Sequence, residues 1–179
     1  MSVPQTSLEH YRQVAQDVAR GEELRLTVTS GSMAPLLRPG DSVLVEPITT
    51  ELKLGEIVVL RHNNEWITHR VLRIEAQRCQ TYGDNARSVD EPITLDAVVG
   101  RVVAIERAGR TLDLRQGRWP VVNRALSWAG RNKLRVLNAG RQTLGQPDRL
   151  ERSWRTWLAA CGAAPFQIIN RVVVWWASR

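Results

Sequence analysis

The sequence predicts a mainly β domain flanked by helical segments, and two features of the 179-residue chain carry this prediction. Short apolar runs recur with turn signals between them, which is typical of a compact antiparallel or mixed sheet rather than of βαβ units. Segments at both ends of the chain have the spacing of amphipathic helices. The expected strands lie at 24–29, 42–46, 56–61, 66–76, 78–82, 98–106 and 111–114.

The chain divides into three predicted parts. Residues 1–23 form an N-terminal helix, with its apolar side over 5–20 and its end at Gly21. Residues 24–118 form the β domain, and residues 1–118 together hold 15 Lys+Arg and 16 Asp+Glu, a net charge of −1. Residues 119–179 form a helical tail with 10 Lys+Arg, 2 Asp+Glu and six of the seven tryptophans. The basic character of the whole chain therefore belongs to the tail.

The most informative segment is SGSMAPLLRPGD at residues 30–41, which follows the first strand. Gly31 frees the backbone beside Ser32, and a small hydroxyl on a tight strand-to-turn junction is how a chain presents a nucleophile. Pro35 suits the first turn of a short helix, and Pro39-Gly40-Asp41 is a turn that leads into the next strand. The alternative interpretation is an ordinary loop rich in small residues.

A serine hydroxyl needs a base, and His69 is the best placed of three histidines. It lies inside the strand at 66–74, which would hold the ring rigidly. His10 lies in the predicted N-terminal helix, and His62 begins a hairpin turn. The alternative for His69 is a partly buried structural histidine.

Two aspartates follow in the segment YGDNARSVD at 82–90. Asp84 or Asp90 could orient and charge-stabilise a histidine, as the acid of a serine triad does. Gly-Asp-Asn is also a turn signal, so the aspartates have an alternative interpretation as Asx-turn residues. The sequence leaves open which of the two contacts His69.

Four segments in this order resemble type I signal peptidases, and the likeness covers roughly residues 24–107. The base position departs from most bacterial members and from the related SOS-repressor autoproteases, which have a lysine there. His69 is similar to the base of the endoplasmic-reticulum and archaeal type, whereas Lys53 lies in a polar linker. The four segments are SGSMAPLLRPGD (30–41), THRV (68–71), GDNARSVD (83–90) and VVGRVV (98–103).

The resemblance implies a signal-peptidase-like or repressor-autoprotease-like β core and a role for each site residue. Ser32 attacks the scissile carbonyl, and His69 acts as general base and then general acid. Asp90 is preferred over Asp84 as the acid partner, with Asp84 as a second acid that holds its loop near the site. The oxyanion and substrate contacts fall to Ser30, Gly31 and Met33. The substrate is an extended peptide with small residues before the cleaved bond, lying along a sheet edge.

The tail predicts contact with a membrane surface. In residues 120–137, and again around Trp154 and Trp157, tryptophan and aliphatic residues alternate with arginine in helical spacing. Such helices bind anionic lipid at the interface. A small helical subdomain packed on the core is the alternative, and nucleic-acid binding is the weaker choice. We expect a chain that ends near Arg118 to stay soluble and to keep Ser32 reactive if the core folds alone.

These observations predict a serine endopeptidase that is peripherally membrane-associated, on the cytoplasmic side. No apolar run reaches the ~18–20 residues of a spanning helix, and residues 1–23 lack the apolar core of a signal peptide. Two alternatives stay open: a self-cleaving regulator and an inactive membrane-surface binding module of the same fold. We expect no cofactor, no metal and no nucleic-acid partner, and Cys79 and Cys161 predict no disulfide framework.

Overall fold

The computed structural model describes residues 24–62, 65–86 and 88–143. The predicted N-terminal helix over 5–20 and the tail beyond residue 143, with Trp154 and Trp157, lie outside the described residues. Within them the chain is mainly β, as the sequence predicts, with one α-helix. The strands are β1 (Leu24–Thr27), β2 (Ser42–Glu46), β3 (Ile57–His62), β4 (Glu65–Glu75), β5 (Arg78–Tyr82), β6 (Ile93–Thr94), β7 (Val98–Arg107) and β8 (Arg110–Asp113), and helix α1 is Trp119–Thr143.

The strands form one antiparallel sheet that curls into a half-barrel. Its order is β1-β2-β7-β3-β4-β5-β6, and β8 pairs with β7. The ladder shifts register at three places, between Leu44 and Val45, between Val59 and Leu60, and between Val71 and Arg73. Because such irregularities bend and twist a strand, they allow the sheet to curl.

The expected strands match the observed ones to within about two residues, because each apolar run ends at a turn signal. The two-residue strand β6 and the 3₁₀ turn Leu95–Ala97 were not expected, since neither is long enough to show a periodic pattern. The short helix expected at Pro35 is not formed. Consecutive turns occupy 32–36 instead, with one helical-type hydrogen bond of 3.1 Å from Leu37 N to Met33 O.

The main hydrophobic core joins three parts of the chain that are far apart in sequence. The segment after Ser32 and the sheet contribute to it, and helix α1 adds Trp119, Val122 and Leu126, none of which is more than 6% exposed. Burial of each such side chain contributes roughly 1.5–3 kcal/mol. A chain that ends near Arg118 would therefore lose part of its core. This packing argues against the expectation that the β domain stays soluble and reactive without the tail.

A second, smaller cluster lies under β3, β4 and β5 and contains the free cysteine Cys79. Burial raises the pKa of the Cys79 thiol, so this group stays protonated and unreactive. Among the described residues, no helix combines the length and the apolar character needed to span a membrane.

Candidate active site

The segment at 30–41 is a wide loop between β1 and β2 that is tied down at both ends. Val28 N donates to Asp41 O at 2.8 Å and Gly40 N donates to Val28 O at 2.9 Å, which closes the loop at its base. Inside it, Met33 and Leu37 are at most 1% exposed and belong to the main core. The loop is thus anchored from below by apolar side chains.

Ser32 lies on the outer side of this anchored loop. Its Oγ is 3.2 Å from the Oγ of Ser30, and either hydroxyl can donate in this hydrogen bond. A Cβ at Gly31 would meet nothing within 4 Å, so space is open beside the hydroxyls. Met33 was expected among the substrate contacts, but its side chain is buried, so it anchors Ser32 from beneath.

His69 and Asp90 are joined by a short polar contact. His69 Nδ1 lies 2.6 Å from Asp90 Oδ2, and the same oxygen accepts a 2.6 Å hydrogen bond from Thr81 Oγ1. Asp90 N donates to Thr81 O at 2.9 Å, and Gln80 Nε2 donates to Asp90 O at 2.9 Å. The carboxylate is therefore fixed by β5, and it fixes the imidazole in turn.

The other ring nitrogen of His69 lies toward the serine loop. A Cβ built on Gly83 would be 3.0 Å from His69 Nε2 and 2.7 Å from Ser32 O. Gly83 thus lies between the histidine and the Ser32 backbone, where a larger residue would push them apart. Among the described residues no direct hydrogen bond joins Ser32 Oγ to the ring; catalytic contacts of this kind are often long before substrate binds.

The Gly83-Asp84-Asn85 loop, called the GDN loop below, holds the serine loop by its backbone. Asn85 N donates to Ser32 O at 2.8 Å, and Asn85 Nδ2 donates to Gly31 O at 3.3 Å. The carbonyl groups of Gly31 and Ser32 are thus both hydrogen-bonded to Asn85. The position of Ser32 depends directly on the position of the GDN loop.

Asp84 contacts Arg70 rather than His69. Arg70 Nε donates to Asp84 Oδ1 at 2.8 Å and Nη2 donates to Oδ2 at 2.7 Å, in a bidentate pair whose side chains are 0% and 1% exposed. Burial alone would lower the pKa of Arg70, but the charge and hydrogen bonds of Asp84 outweigh it and raise that pKa. Of the two aspartates left open by the sequence, Asp90 lies on the histidine and Asp84 anchors the GDN loop.

Arg70 also reaches two further acceptors. Its Nη1 donates to Gly55 O at 2.8 Å and to Asn123 Oδ1 of helix α1 at 3.1 Å. Next to the GDN loop, Tyr82 OH donates to Leu126 O at 3.4 Å. Burial, followed by the nearby Asp84 charge, raises the pKa of Tyr82, so the phenol stays neutral.

Sequence reasoning missed Arg70, Thr81 and Asn123 as parts of this site. Arg70 had a detectable signal: it is the one charged residue on a strand face that also carries Trp66, Thr68, Leu72 and Ile74. A charge on an apolar face needs a buried partner. Thr81 and Asn123 are ordinary strand and helix residues, and only the three-dimensional pairing identifies them.

Two further observations concern possible metal ligands and the lysine of the β domain. Among the described residues, no group of three or more His, Cys, Asp or Glu side chains is arranged to hold a metal ion. Lys53, the lysine of the β domain, is exposed in the turn before β3, where its backbone N donates to Glu56. The side chain that faces the serine loop at this position is the imidazole of His69.

The curled β fold and the Ser, His and Asp brought together on it define a serine peptidase or autoprotease type of domain. Residues 2–103 match the family model described as Peptidase S24-like, and the chain belongs to this family. The matched residues cover β1 to β6 and most of β7, and they include Ser32, His69 and Asp90. No curated protein matches the chain at a significant level.

Proposed function

We propose that the protein is a serine endopeptidase of signal-peptidase-like type, with Ser32 as nucleophile, His69 as general base and Asp90 as the acid. One observation carries the proposal: His69 Nδ1 is 2.6 Å from Asp90 Oδ2 while Nε2 borders Gly83 and the Ser32 backbone. A histidine held by a carboxylate at one nitrogen and directed by the other toward a serine is the arrangement that activates a hydroxyl.

The chemistry follows from these positions. The Ser32 hydroxyl turns from Ser30 toward Nε2 of His69, gives up its proton and attacks the scissile carbonyl carbon. Asp90 stabilises the imidazolium. The oxyanion is held by Ser32 N–H and by the Ser30 hydroxyl, and a donor of this kind is worth about 3–4 kcal/mol of barrier. His69 then protonates the leaving amine, and a water activated by His69 hydrolyses the acyl-enzyme.

The substrate fits the free edge of the sheet. Strand β1 pairs with β2 on one side and is an edge strand among the described residues, and it runs directly into the Ser30-Gly31-Ser32 turn. An extended peptide that adds to this edge would deliver a carbonyl to Ser32 through backbone hydrogen bonds. Small residues before the scissile bond are the specificity that the signal-peptidase resemblance implies.

The test is covalent labelling of the full chain with a serine-directed acylating probe, followed by mass-spectrometric location of the adduct. Wild type should be labelled on Ser32, whereas S32A and H69A should each lose nearly all labelling. The double variant should lose little more, because the two groups act as a unit. Ser42→Ala, on β2, is the matched serine control and should be labelled like wild type.

Two results would overturn the assignment in different ways. Equal labelling of wild type and S32A would make the protein an inactive module of this fold. Cleavage of the chain itself on incubation, abolished by S32A, with no cleavage of added peptides, would make it a self-cleaving regulator.

We also propose that helix α1 contacts an anionic membrane surface through its outer face, defined by Val121, Arg124, Trp128, Arg131 and Arg135. Val121 is 62% and Trp128 58% exposed, so two large apolar side chains of the helix face solvent. Arginine beside exposed tryptophan suits a lipid headgroup layer, where the rings enter the boundary and the guanidinium groups meet phosphates. Trp119 takes no part because it is buried.

Co-sedimentation of the full chain with anionic and zwitterionic phospholipid vesicles tests this contact. Trp128→Ala should weaken binding to both, while replacing Arg124, Arg131 and Arg135 by Gln should remove the preference for anionic lipid. Full binding by both helix variants would disprove a role of this face.

The charge-matched control replaces three exposed arginines of the β domain by Gln, and this variant should keep the preference for anionic lipid. The three are Arg61, Arg73 and Arg110.

A further inference from the structure

We infer that helix α1 is a working part of the active site and that Asn123 is its principal positioning residue. This inference rests on the proposed function. The helix would hold the GDN loop in place, and the GDN loop in turn would hold Ser32 and His69 in their relative positions. The helix follows the part of the chain that matches the peptidase family, which ends at residue 103.

The first link runs through three side chains. Asn123 Oδ1 accepts from Arg70 Nη1 at 3.1 Å, and Arg70 is paired with Asp84 through two bonds of 2.8 and 2.7 Å. Arg70 is fully buried, so each of its N–H groups needs a protein acceptor. Asn123 supplies an acceptor that fixes the guanidinium plane, and this plane sets where Asp84 lies.

The second link is a close approach between helix and strand. A Cβ on Gly130 would come within 2.4 Å of the Tyr82 ring, so Gly130 lets the ring lie directly on the helix backbone. Tyr82 OH also donates to Leu126 O. Its neighbours in sequence are Thr81, which holds Asp90, and Gly83, which borders Ser32 and His69. A shift of Tyr82 away from the helix would therefore move both sides of the site.

A third contact lies under Arg70. Gly55, whose φ is +88°, leaves room for Ser127 of the helix, since a Cβ there would be 2.3 Å from Ser127 Oγ. The carbonyl of the same Gly55 accepts from Arg70 at 2.8 Å. The helix thus contacts Arg70 directly through Asn123 and indirectly through Gly55. All three links converge on the elements that hold the base and the serine loop.

Loss of the Asn123 acceptor should reduce reactivity more than it reduces folding. The main core contacts of the helix, through Trp119, Val122 and Leu126, do not involve Asn123 and remain. Arg70 would turn to find another partner and draw Asp84 with it. Because displacements of about 1 Å can cost a hundredfold in rate, we expect Asn123→Leu to lower the acylation rate constant about 10- to 100-fold.

The experiment measures both the rate constant and the final extent of labelling by the serine-directed probe, in the full chain and without vesicles. Asn123→Leu should lower the rate constant and keep the full extent, whereas a preparation that contains irreversibly misfolded chain would lower the extent and keep the rate constant of the folded remainder. Asn123→Asp, which keeps the acceptor oxygen, should stay within about threefold of wild type. Asn132→Leu is the matched control, since Asn132 Nδ2 bonds to Trp128 O within the helix.

Amide hydrogen exchange separates failure of this inference from failure of the proposed function. Asn85 N–H and Ala86 N–H are bonded to Ser32 O and Gly83 O, so loosening of the GDN loop should speed their exchange in Asn123→Leu and not in Asn132→Leu. This holds whether or not Ser32 is reactive. If Asn123→Leu fails to fold, the milder Asn123→Ala takes its place. Exchange and labelling rates equal to those of the Asn132→Leu control would overturn the inference.

Discussion

Two loops border the candidate active site, and each is held by an Arg–Asp pair in a different environment. The serine loop ends at Asp41, which pairs with Arg107 of β7 at 2.7 and 2.5 Å. The GDN loop is held by Asp84, which pairs with Arg70 of β4. In the first pair the side chain of Arg107 is 25% exposed and that of Asp41 is 5% exposed, whereas the arginine and aspartate of the second pair are 0% and 1% exposed. The bond lengths differ by no more than 0.3 Å between the two pairs, so burial is the main difference.

The difference determines what each pair does for the fold. A buried ion pair adds little net stability when intact, because desolvation offsets the attraction, but loss of one partner leaves a buried charge without compensation. A pair whose arginine is partly exposed loses less, since water reaches Arg107 when Asp41 is removed. The Arg70–Asp84 pair therefore makes the GDN loop intolerant of change, whereas the Asp41–Arg107 pair makes the serine loop dependent on pH.

The largest expected effect is on Asp84. Asp84→Ala should lower the free energy of unfolding by about 3–5 kcal/mol, because Arg70 keeps its buried charge with neutral acceptors alone. Asp41→Ala should cost less, about 1.5–3 kcal/mol, the usual cost of hydrogen bonds to a charged group. Urea unfolding of both variants measures the two values. Equal losses would show that burial does not separate the two loops.

The next effect tests how closely the loops approach the chemistry. Gly83→Ala should slow acylation of Ser32 by about a hundredfold, since the added methyl meets both Ser32 O and His69 Nε2. Gly40→Ala is the matched control in the serine loop. Its φ of +91° makes any side chain strained, but a Cβ there meets nothing within 4 Å. It should lose about 1 kcal/mol of stability and keep the labelling rate constant. A slow Gly40→Ala would contradict this division.

The sequence was sufficient for every observed strand except the two-residue β6, and for the order of the functional segments. Apolar runs bounded by turns have a local cause, so β2 and β5 were predicted with their observed bounds. The choice of Ser32 and His69 depended on motif order and turn context. The structure adds that Asp90 lies on His69, a contact that depends on how the ladder brings Thr81 beside it.

What the sequence could not predict depends on sheet curl and helix docking. Residue type and turn context leave both Asp84 and Asp90 open, and only the position in the motif favoured Asp90. Their different partners arise because β4 directs His69 and Arg70 to opposite faces. Periodicity also gave the segment from residue 119 as one amphipathic tail. It could not show that Asn123 reaches Arg70, because that contact spans 53 residues.

The third effect concerns pH and the serine loop. Burial disfavours ionised Asp41, but the hydrogen bond from Arg107, the backbone N–H of Arg38 and the Arg107 charge outweigh it, so the pKa of Asp41 is lowered. A lowered pKa means that the stabilisation is fully present above the unfolded value of about 3.9 and is lost as pH falls through the folded pKa. The stability gap between wild type and Asp41→Asn should therefore be constant from pH 8 to about 5 and shrink below about 4.

Urea unfolding of both proteins at several pH values measures this gap, and the difference cancels the titration of the other acids. Asp96→Asn, at an exposed site in the 3₁₀ turn, is the control and should differ little from wild type at any pH. A gap that widens as the pH falls would contradict the assignment of Asp41 as the stabilising charged partner.

The smallest effect belongs to a third Arg–Asp pair, which extends the comparison to the surface. Arg115 contacts Asp113 at 3.1 Å and Glu46 at 2.7 Å, and the side chains of Arg115 and Asp113 are 52% and 27% exposed. Arg115 has three carboxylate oxygens within hydrogen-bonding distance, one more than Arg107 has. Water and salt screen these oxygens, however, and an exposed pair is worth about 0.2–1 kcal/mol.

Arg115→Ala should thus lower the free energy of unfolding by no more than that amount. The loss should fade between low salt and about 1 M salt, where the screening length is about 3 Å. Urea unfolding at the two salt concentrations, beside Asp41→Ala and Asp84→Ala, gives the three costs in one series. A series in which Arg115→Ala costs as much as Asp41→Ala, or resists salt, would mean that the number of contacts and not burial sets the strength of these pairs.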